Sequence, residues 1–220
     1  MTGSKSKTFP ARESYHHGDL HSTLVQAAEH LLEKQGFAEL SLREVAKLAG
    51  VSHSAPYRHF RGKAGLLEAV AQAGFNRLAV MVNAAHDAYP DDPEAQLRAA
   101  GVAYVEWATE NPERTHLMYG GMMKSEDVPE TLHACAEDAY AGIFRIIDEG
   151  RRAGVFGGDD TDSVVTSAWA VVHGLTMLIL GSGRVNPEGP EEVRALALRV
   201  CDTILDGIRA RGHNNRDGSA

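Results

Sequence analysis

Small polar and basic side chains are concentrated between residues 41 and 63. Ser52, His53 and Ser54 follow one another directly, and side chains of this size and polarity can approach the edges of nucleic-acid bases. Arg58 and Lys63 come shortly afterwards and carry positive charge that can meet phosphate groups. A segment with both kinds of side chain predicts contact with double-stranded DNA, provided that the local fold presents them together.

A short capped helix is predicted to begin this segment. Ser41 and Glu44 have the spacing of a capping box, in which the serine caps the helix start and the glutamate reaches back three residues. Gly50 is expected to end that helix after about two turns, since glycine takes the left-handed conformation at little cost. A second short helix after a tight turn would complete a helix-turn-helix.

The second short helix would carry most of the DNA contacts. We expect Ser52 or Ser54 to cap it, with Pro56 in its first turn, where a missing N–H costs little. The ring of Tyr57 is assigned to the core, while its hydroxyl can reach a phosphate. The same spacing also fits an ordinary helical hairpin without a role in DNA binding.

The predicted DNA contacts divide into two groups. Residues near the turn are expected to contact base edges in a DNA groove, and residues around the turn are expected to contact the sugar-phosphate backbone of the DNA. The complete predicted set is Ser41, Arg43, Ser52, His53, Ser54, Tyr57, Arg58, His59 and Lys63.

Charge is distributed unevenly along the chain. The total is −8, but residues 1–67 hold nine Lys or Arg against six Asp or Glu, a net +3, which leaves −11 for the remainder. A small basic head on an acidic body predicts two separate roles, with the head towards nucleic acid. Lys5, Lys7 and Arg12 lie in the first residues and are interpreted as either phosphate contacts or an inert tail.

Composition excludes several protein classes. A hydrophobic fraction of 43% is enough for a core and excludes a mainly disordered chain. Cys135 and Cys201 are far apart, which excludes a disulfide scaffold and a cysteine-based zinc module. No secretory signal is visible, and the longest apolar run, residues 164–180, is shorter than the ~20 residues of a membrane span. We therefore expect a cytoplasmic protein without membrane association.

Helical periodicity runs through the rest of the chain and predicts an all-α fold of about nine helices. The predicted layout is a flexible arm at 1–13, a three-helix helix-turn-helix DNA-binding head at 14–62, a helical ligand-binding and dimerisation domain at 63–211, and a disordered tail at 212–220.

The last two predicted helices, at 161–180 and 191–211, favour a dimer. The first is apolar on nearly all sides and must be covered on more than one face. A second copy can supply that cover in a four-helix interface, although a central helix wrapped by its own chain also fits. The predicted interface residues are Val171, Leu175, Leu178, Val200 and Ile204.

Aromatic and methionine side chains outline a candidate pocket for an apolar small molecule. Trp169 and His173 are four residues apart and therefore share one helix face. Each candidate also fits a place in the core, with His173 hydrogen-bonded there. The predicted ligand contacts are Trp107, Met118, Met122, Tyr140, Phe144, Trp169 and His173.

One long segment resembles a known family. Residues 42–63, LREVAKLAGVSHSAPYRHFRGK, are similar to the DNA-binding motif of TetR-family transcriptional regulators. Residues 15–20, YHHGDL, and residues 169–174, WAVVHG, resemble a subgroup with a Trp-x-x-x-His-Gly motif in its C-terminal domain. Ala55 and Pro56 stand where the family commonly has glycine or another small residue, which affects the choice of groove contacts.

The resemblance implies a function and a set of partners. It implies an all-helical homodimer that represses transcription and is released from a palindromic operator by a small-molecule effector. It implies neither a cofactor nor a metal.

Two other functions compete with this interpretation. An enzyme is disfavoured because we find no P-loop, GxSxG or HExxH pattern. His16, His17, Asp19 and His21 suggest a metal site, but Asp19 also fits the cap of the first helix. The alternative that composition leaves open is a helical small-molecule-binding dimer without DNA binding.

Overall fold

The structure is a computed structural model that describes residues 20–119, 130–158, 160–181 and 183–209. These residues form eight α-helices and one short 3-10 helix, which confirms the all-α prediction. The elements are α1 (Leu20–Glu39), α2 (Leu42–Leu48), η1 (Pro56–Arg58), α3 (Gly62–Ala88), α4 (Pro93–Glu110), α5 (Pro112–Tyr119), α6 (Glu130–Arg152), α7 (Thr161–Gly181) and α8 (Pro190–Ile208). The predicted arm and the whole of the predicted tail lie outside the described residues.

The chain packs as two compact units, one of residues 1–74 and 113–129, the other of residues 75–112 and 130–220. The division falls within α3 rather than after residue 62, where the sequence placed it. The reason is that the first half of α3 contributes Leu66 and Val70 to the core of the first unit, where both are fully buried. Helix α5 also belongs to this unit.

The first unit is built on α1, whose regular geometry is interrupted at Gly36, with φ of +79°. The fully buried side chains of α1 include Leu24 and Leu32, and α2 contributes Val45. Gly36 therefore kinks α1, and the helix continues for three residues after it.

Buried charge fixes α5 on α1. The backbone N–H groups of Glu113 and Arg114, at the start of α5, donate to the Glu33 carboxylate over 3.2 and 2.9 Å. The Arg114 guanidinium pairs with Glu29 over 3.0 Å. Burial raises the pKa of both Glu29 and Glu33.

The second unit is organised around α4, which packs against α6, α7 and α8. Its core includes Tyr104, Ile146 and Leu205. Three ion pairs join α4 to α8 and to Arg209, the residue that follows it, with N–O distances of 2.6 to 2.8 Å: Glu94–Arg209, Arg98–Asp202 and Glu106–Arg194.

Helix α7 is 21 residues long, and its most apolar 18-residue window has a mean hydropathy of 1.7. Among the described residues it alone is long and apolar enough to cross a membrane by those two measures. The apolar run at 164–180 lies within this helix, which extends beyond it at both ends. Its packing on α4, α6 and α8 is that of a core helix of the second unit. However, only 33% of its most apolar window is buried.

Candidate DNA-binding surface and ligand cavity

Ser41 caps α2 as the sequence predicted. Its Oγ accepts from the Glu44 backbone N–H over 3.3 Å and donates to the Glu44 carboxylate over 3.0 Å. The glutamate therefore reaches back to the serine hydroxyl, and it also accepts from the Gln35 side chain over 3.2 Å. This double contact fixes the start of the helix.

Gly50 ends α2 in the left-handed conformation, with φ of +69°. The N–H of Val51 donates to the carbonyl of Ala46 over 3.0 Å, and the N–H of Gly50 donates to that of Lys47 over 3.2 Å. These two bonds are those of a Schellman motif, which satisfies the last carbonyls of a helix. The predicted turn is thereby confirmed.

The second short helix of the prediction is reduced to a single 3-10 turn, η1. Ala55 precedes it without a side-chain cap, so the expectation that Ser52 or Ser54 caps a helix was wrong. The two serine hydroxyls instead bond each other over 3.2 Å. Pro56 occupies the first position of η1, as expected, and has no N–H to extend the turn backwards.

Most of the predicted DNA-binding residues are exposed on the first unit. Ser41 and Lys63 are half-buried, and the exposed members are Arg43, Ser52, His53, Ser54, Tyr57, Arg58 and His59. Tyr57 is 64% exposed, which corrects the assignment of its ring to the core. Pro56 and Phe60 on either side are buried instead, because the tight turn directs them inward. His59 lies near the ring of His21, with a centroid distance of 6.1 Å.

Lys63 differs from the other cations because its charge is held within the chain. Its Nζ donates to the carbonyls of Phe37 and Ala38 over 2.6 and 3.2 Å. The ammonium also lies 4.5 Å from the centroid of the Phe37 ring, a cation–π contact. In this geometry Lys63 stabilises the end of α1, whereas the sequence assigned it to a phosphate.

The second unit contains a narrow apolar cavity. Its empty volume is about 460 Å³, including space open to solvent, and α3, α4, α6, α7 and α8 all contribute to its wall. The lining residues are mostly aliphatic: Leu78, Val82, Leu97, Arg98, Ala100, Gly101, Tyr104, Ile143, Ala168, Trp169, Val172, Cys201, Ile204 and Leu205. Such a wall suits an apolar molecule.

Three aromatic residues join the cavity to the core. The Tyr104 hydroxyl lies 2.8 Å from Nδ1 of His173, and the His173 ring stacks on Trp169 at a centroid distance of 5.1 Å. Tyr104 and Trp169 are themselves 4.8 Å apart. Burial raises the pKa of Tyr104 and lowers that of His173, so both side chains are uncharged at neutral pH.

The structure brings one predicted ligand residue, Trp169, to the cavity wall, with His173 directly behind it. Tyr140 donates to Asp162 over 2.8 Å and pairs with the ring of Phe144, away from the wall. Trp107 is half-buried and does not line the cavity.

Of the two predicted methionines, the described one, Met118, does not contribute to the wall. Met118 belongs to the first unit, where its Sδ packs so closely on Gly74 that a Cβ there would collide with it. Met122 lies outside the described residues.

Several cavity residues were missed by the sequence analysis. Tyr104 and Arg98 have no distinguishing local pattern, and the helical spacing of α4 marks them only as possible inward positions. Cys201 was used only to exclude a disulfide. Ile204 was assigned to the dimer interface, yet it lines the cavity.

The predicted dimer residues differ in exposure. Val171 and Leu178 are 36% and 44% exposed, and they lie on the same face of α7, two turns apart. Val200 is half-buried. Leu175 is buried within its own chain, because α7 turns that position towards the core. Leu175 therefore offers little surface to a partner.

Among the described residues, no group of three or more His, Cys, Asp or Glu side chains is arranged to bind a metal ion. His16, His17 and Asp19 of the metal hypothesis lie outside these residues.

Two family models match the chain. Residues 24–70 match the model described as "Bacterial regulatory proteins, tetR family", and residues 97–211, more than half of the chain, match "Tetracyclin repressor-like, C-terminal domain".

Curated relatives are similar over part of their length. HTH-type transcriptional regulator Rv1816 of Mycobacterium tuberculosis is 29% identical over 130 residues, 57% of this chain and 54% of the relative. Nucleoid occlusion factor SlmA of Vibrio vulnificus is 30% identical over 129 residues, 57% of this chain and 65% of the relative. The chain thus spans about half the length of the first of these relatives and less than two thirds of the second.

Solved structures match more completely. A Rhodococcus sp. RHA1 protein of unknown function is 34% identical, with a TM-score of 0.75 over 91% of this chain and 100% of that one. The TetR family regulator PfmR of Thermus thermophilus is 22% identical, with a TM-score of 0.63 over 83% of this chain and 97% of that one, which indicates a shared fold.

Proposed function

Since this chain belongs to the TetR family of bacterial regulatory proteins, we propose that it is a cytoplasmic, sequence-specific DNA-binding transcriptional regulator. In this proposal it is a homodimer that represses from a palindromic operator and is released by a small-molecule effector. It is a regulator rather than an enzyme, in line with the names of its relatives. The WAVVHG segment at 169–174 further supports a subgroup with a Trp-x-x-x-His-Gly motif.

The observation that carries the proposal is the capped helix and Schellman turn of α2 next to an exposed polar surface. The bonds of Ser41 and Gly50 fix the backbone, and the adjoining Ser52, His53 and Arg58 are exposed to solvent. Side chains on a rigid turn can contact base edges and phosphates with little loss of conformational entropy.

Dimerisation follows from the size of one head. A single three-helix head contacts few base pairs, so specific binding needs two heads on two half-sites. Val171 and Leu178 form an exposed apolar face on α7, and a second copy of α7 and α8 would cover it in a four-helix interface.

Helix α3 supports a route for the effector. It starts at Gly62, directly after the DNA-binding segment, and it contributes Leu78 and Val82 to the cavity wall. An effector that favours one position of this helix changes the separation of the two heads and therefore the affinity for DNA. A preference of a few kcal/mol is enough for such a shift.

The proposal is tested by selecting bound sites from random DNA duplexes with the full-length protein. We expect an enriched palindrome that binds one dimer, with an affinity that falls steeply as salt rises, because bound phosphates release counterions. Arg58→Ala is expected to weaken operator binding about tenfold, while Arg152→Ala, which removes an exposed arginine of the second unit, leaves it unchanged.

Two outcomes contradict the proposal. One is a strict monomer at micromolar concentration, and the other is failure to bind any duplex at low salt. Failure to bind DNA combined with a stable dimer would instead favour the helical small-molecule-binding protein.

A further inference from the structure

We propose that the cavity of the second unit accepts an uncharged apolar molecule, and that Asp202 sets this preference by holding Arg98 in an ion pair. The inference rests on the proposed function, because it names the chemical class of the effector and a residue that determines specificity.

The charge balance of the cavity wall is the first argument. Among the described residues that line the cavity, Arg98 is the one with a formal charge. Burial raises the pKa of Cys201 to about 11 and raises that of Tyr104 as well, so thiol and phenol remain neutral. The described part of the wall therefore offers a charged ligand no charged partner other than Arg98.

The Arg98–Asp202 pair is the second argument. Nε of Arg98 donates to Oδ1 of Asp202 over 2.7 Å, a close, charge-assisted bond. Asp202 is more exposed than Arg98, with side-chain exposures of 54% and 32%. The carboxylate thus lies on the solvent side of the guanidinium and cancels its charge at the cavity edge.

Desolvation decides between ligand classes. A carboxylate entering the cavity would lose its hydration and would have to compete with Asp202 for Arg98. An ammonium would lose its hydration without any counter-charge in the wall. An uncharged alkyl ligand has neither desolvation penalty, and it gains contacts with aliphatic groups such as Leu78 and Val172.

Three probes with the same chain length test the charge preference: 1-octanol, octanoate and octylammonium. Trp107→Phe leaves Trp169, in the cavity wall, as the single tryptophan of the two in the sequence, so its fluorescence reports occupancy. We expect octanol to bind at least about tenfold more tightly than either ion.

Asp202→Asn, in the same Trp107→Phe background, tests the specificity determinant. It releases Arg98, and we expect octanoate to bind about threefold to tenfold more tightly while octanol is unchanged. Glu106→Gln is the matched control. It breaks the Arg194 pair, which also joins α4 and α8 but does not line the cavity, so neither affinity should change.

A double variant guards against an indirect effect of the substitution. Asp202→Asn combined with Arg98→Gln removes both charges, and the gain in octanoate affinity should disappear. Thermal unfolding of every variant checks that the fold is retained.

Three results overturn the inference. The first is that either ion binds as tightly as octanol does. The second is that Asp202→Asn leaves the affinity for octanoate unchanged. The third is that octanol does not change the fluorescence of Trp169. These assays contain no DNA, so a failure of the cavity preference is distinguishable from a failure of operator binding. If octanol binds as expected but no effector releases the operator, the proposed release mechanism fails and the cavity preference stands.

Discussion

Lys63 is held by three contacts with the end of α1. Its ammonium donates to two carbonyls, those of Phe37 and Ala38, and lies over the Phe37 ring. Both carbonyls follow the kink at Gly36, where regular helical bonds are interrupted. The lysine therefore satisfies backbone groups that the kink exposes.

Lys63→Met tests this positioning role. The methionine retains an unbranched apolar side chain but has no hydrogen-bond donor, so we expect the free energy of unfolding to fall by about 1–2 kcal/mol. Arg61→Met, at a nearby exposed cation, should change it by less than about 0.5 kcal/mol. Urea unfolding measures both, and equal values for the two variants would refute a stabilising role for the contacts of Lys63.

His173 makes the stability of the second unit depend on pH. Burial lowers its pKa from the ordinary value of 6.5, so below that value the unfolded chain binds a proton that the folded chain does not. Stability is therefore full above pH 6.5 and declines as the pH falls.

His173→Asn removes this titration. We expect the decline in the free energy of unfolding between pH 7.5 and about 5.5 to be shallower in the variant than in the wild type. Urea unfolding over this pH range measures the slopes, and parallel curves would refute the role of His173.

At the scale of elements, the DNA-binding segment depends on the end of α2. Two backbone bonds and a left-handed glycine direct the chain from α2 into the turn. η1 then occupies only three residues, since Pro56 prevents backward extension and Gly62, with φ of +75°, begins α3. The sequence predicted the end of α2 at Gly50 and the position of Pro56, but it overestimated the length of the second helix.

Gly50→Ala places a side chain in the left-handed conformation, and we expect it to destabilise the protein by about 1 kcal/mol. Gly65→Ala is the matched control, because Gly65 lies inside α3 and a Cβ there meets nothing closer than 3.8 Å. That variant should be neutral or stabilising by up to about 1 kcal/mol. Thermal unfolding and operator binding measure the effects, and an unaltered Gly50→Ala protein would contradict the role of the turn.

At the scale of the whole molecule, α7 combines high hydropathy with low burial. Only 33% of its most apolar window is covered by its own chain, and Val171 and Leu178 are exposed on it. Exposed apolar surface of this kind commonly marks a contact with a partner, which supports the proposed homodimer.

Leu178→Glu introduces charge into this face and is expected to convert the dimer to a monomer at micromolar concentration. Val80→Glu is the control, since Val80 on α3 is even more exposed, at 56%, but lies outside the predicted interface. Sedimentation velocity distinguishes the two states. A Leu178→Glu dimer as stable as the wild type would exclude this face from the interface.

The sequence alone determined the all-α class, the cap and end of α2 and the family likeness, because these features depend on residues within a few positions of each other. Ser41 with Glu44, and Gly50 after α2, are examples. The tertiary structure alone decided that Lys63 binds backbone 25 and 26 residues away and that Tyr57 faces solvent. It also decided that Arg98 meets Asp202, 104 positions along the chain. Such contacts depend on how helices pack, and helical periodicity specifies an inward face without specifying its partner.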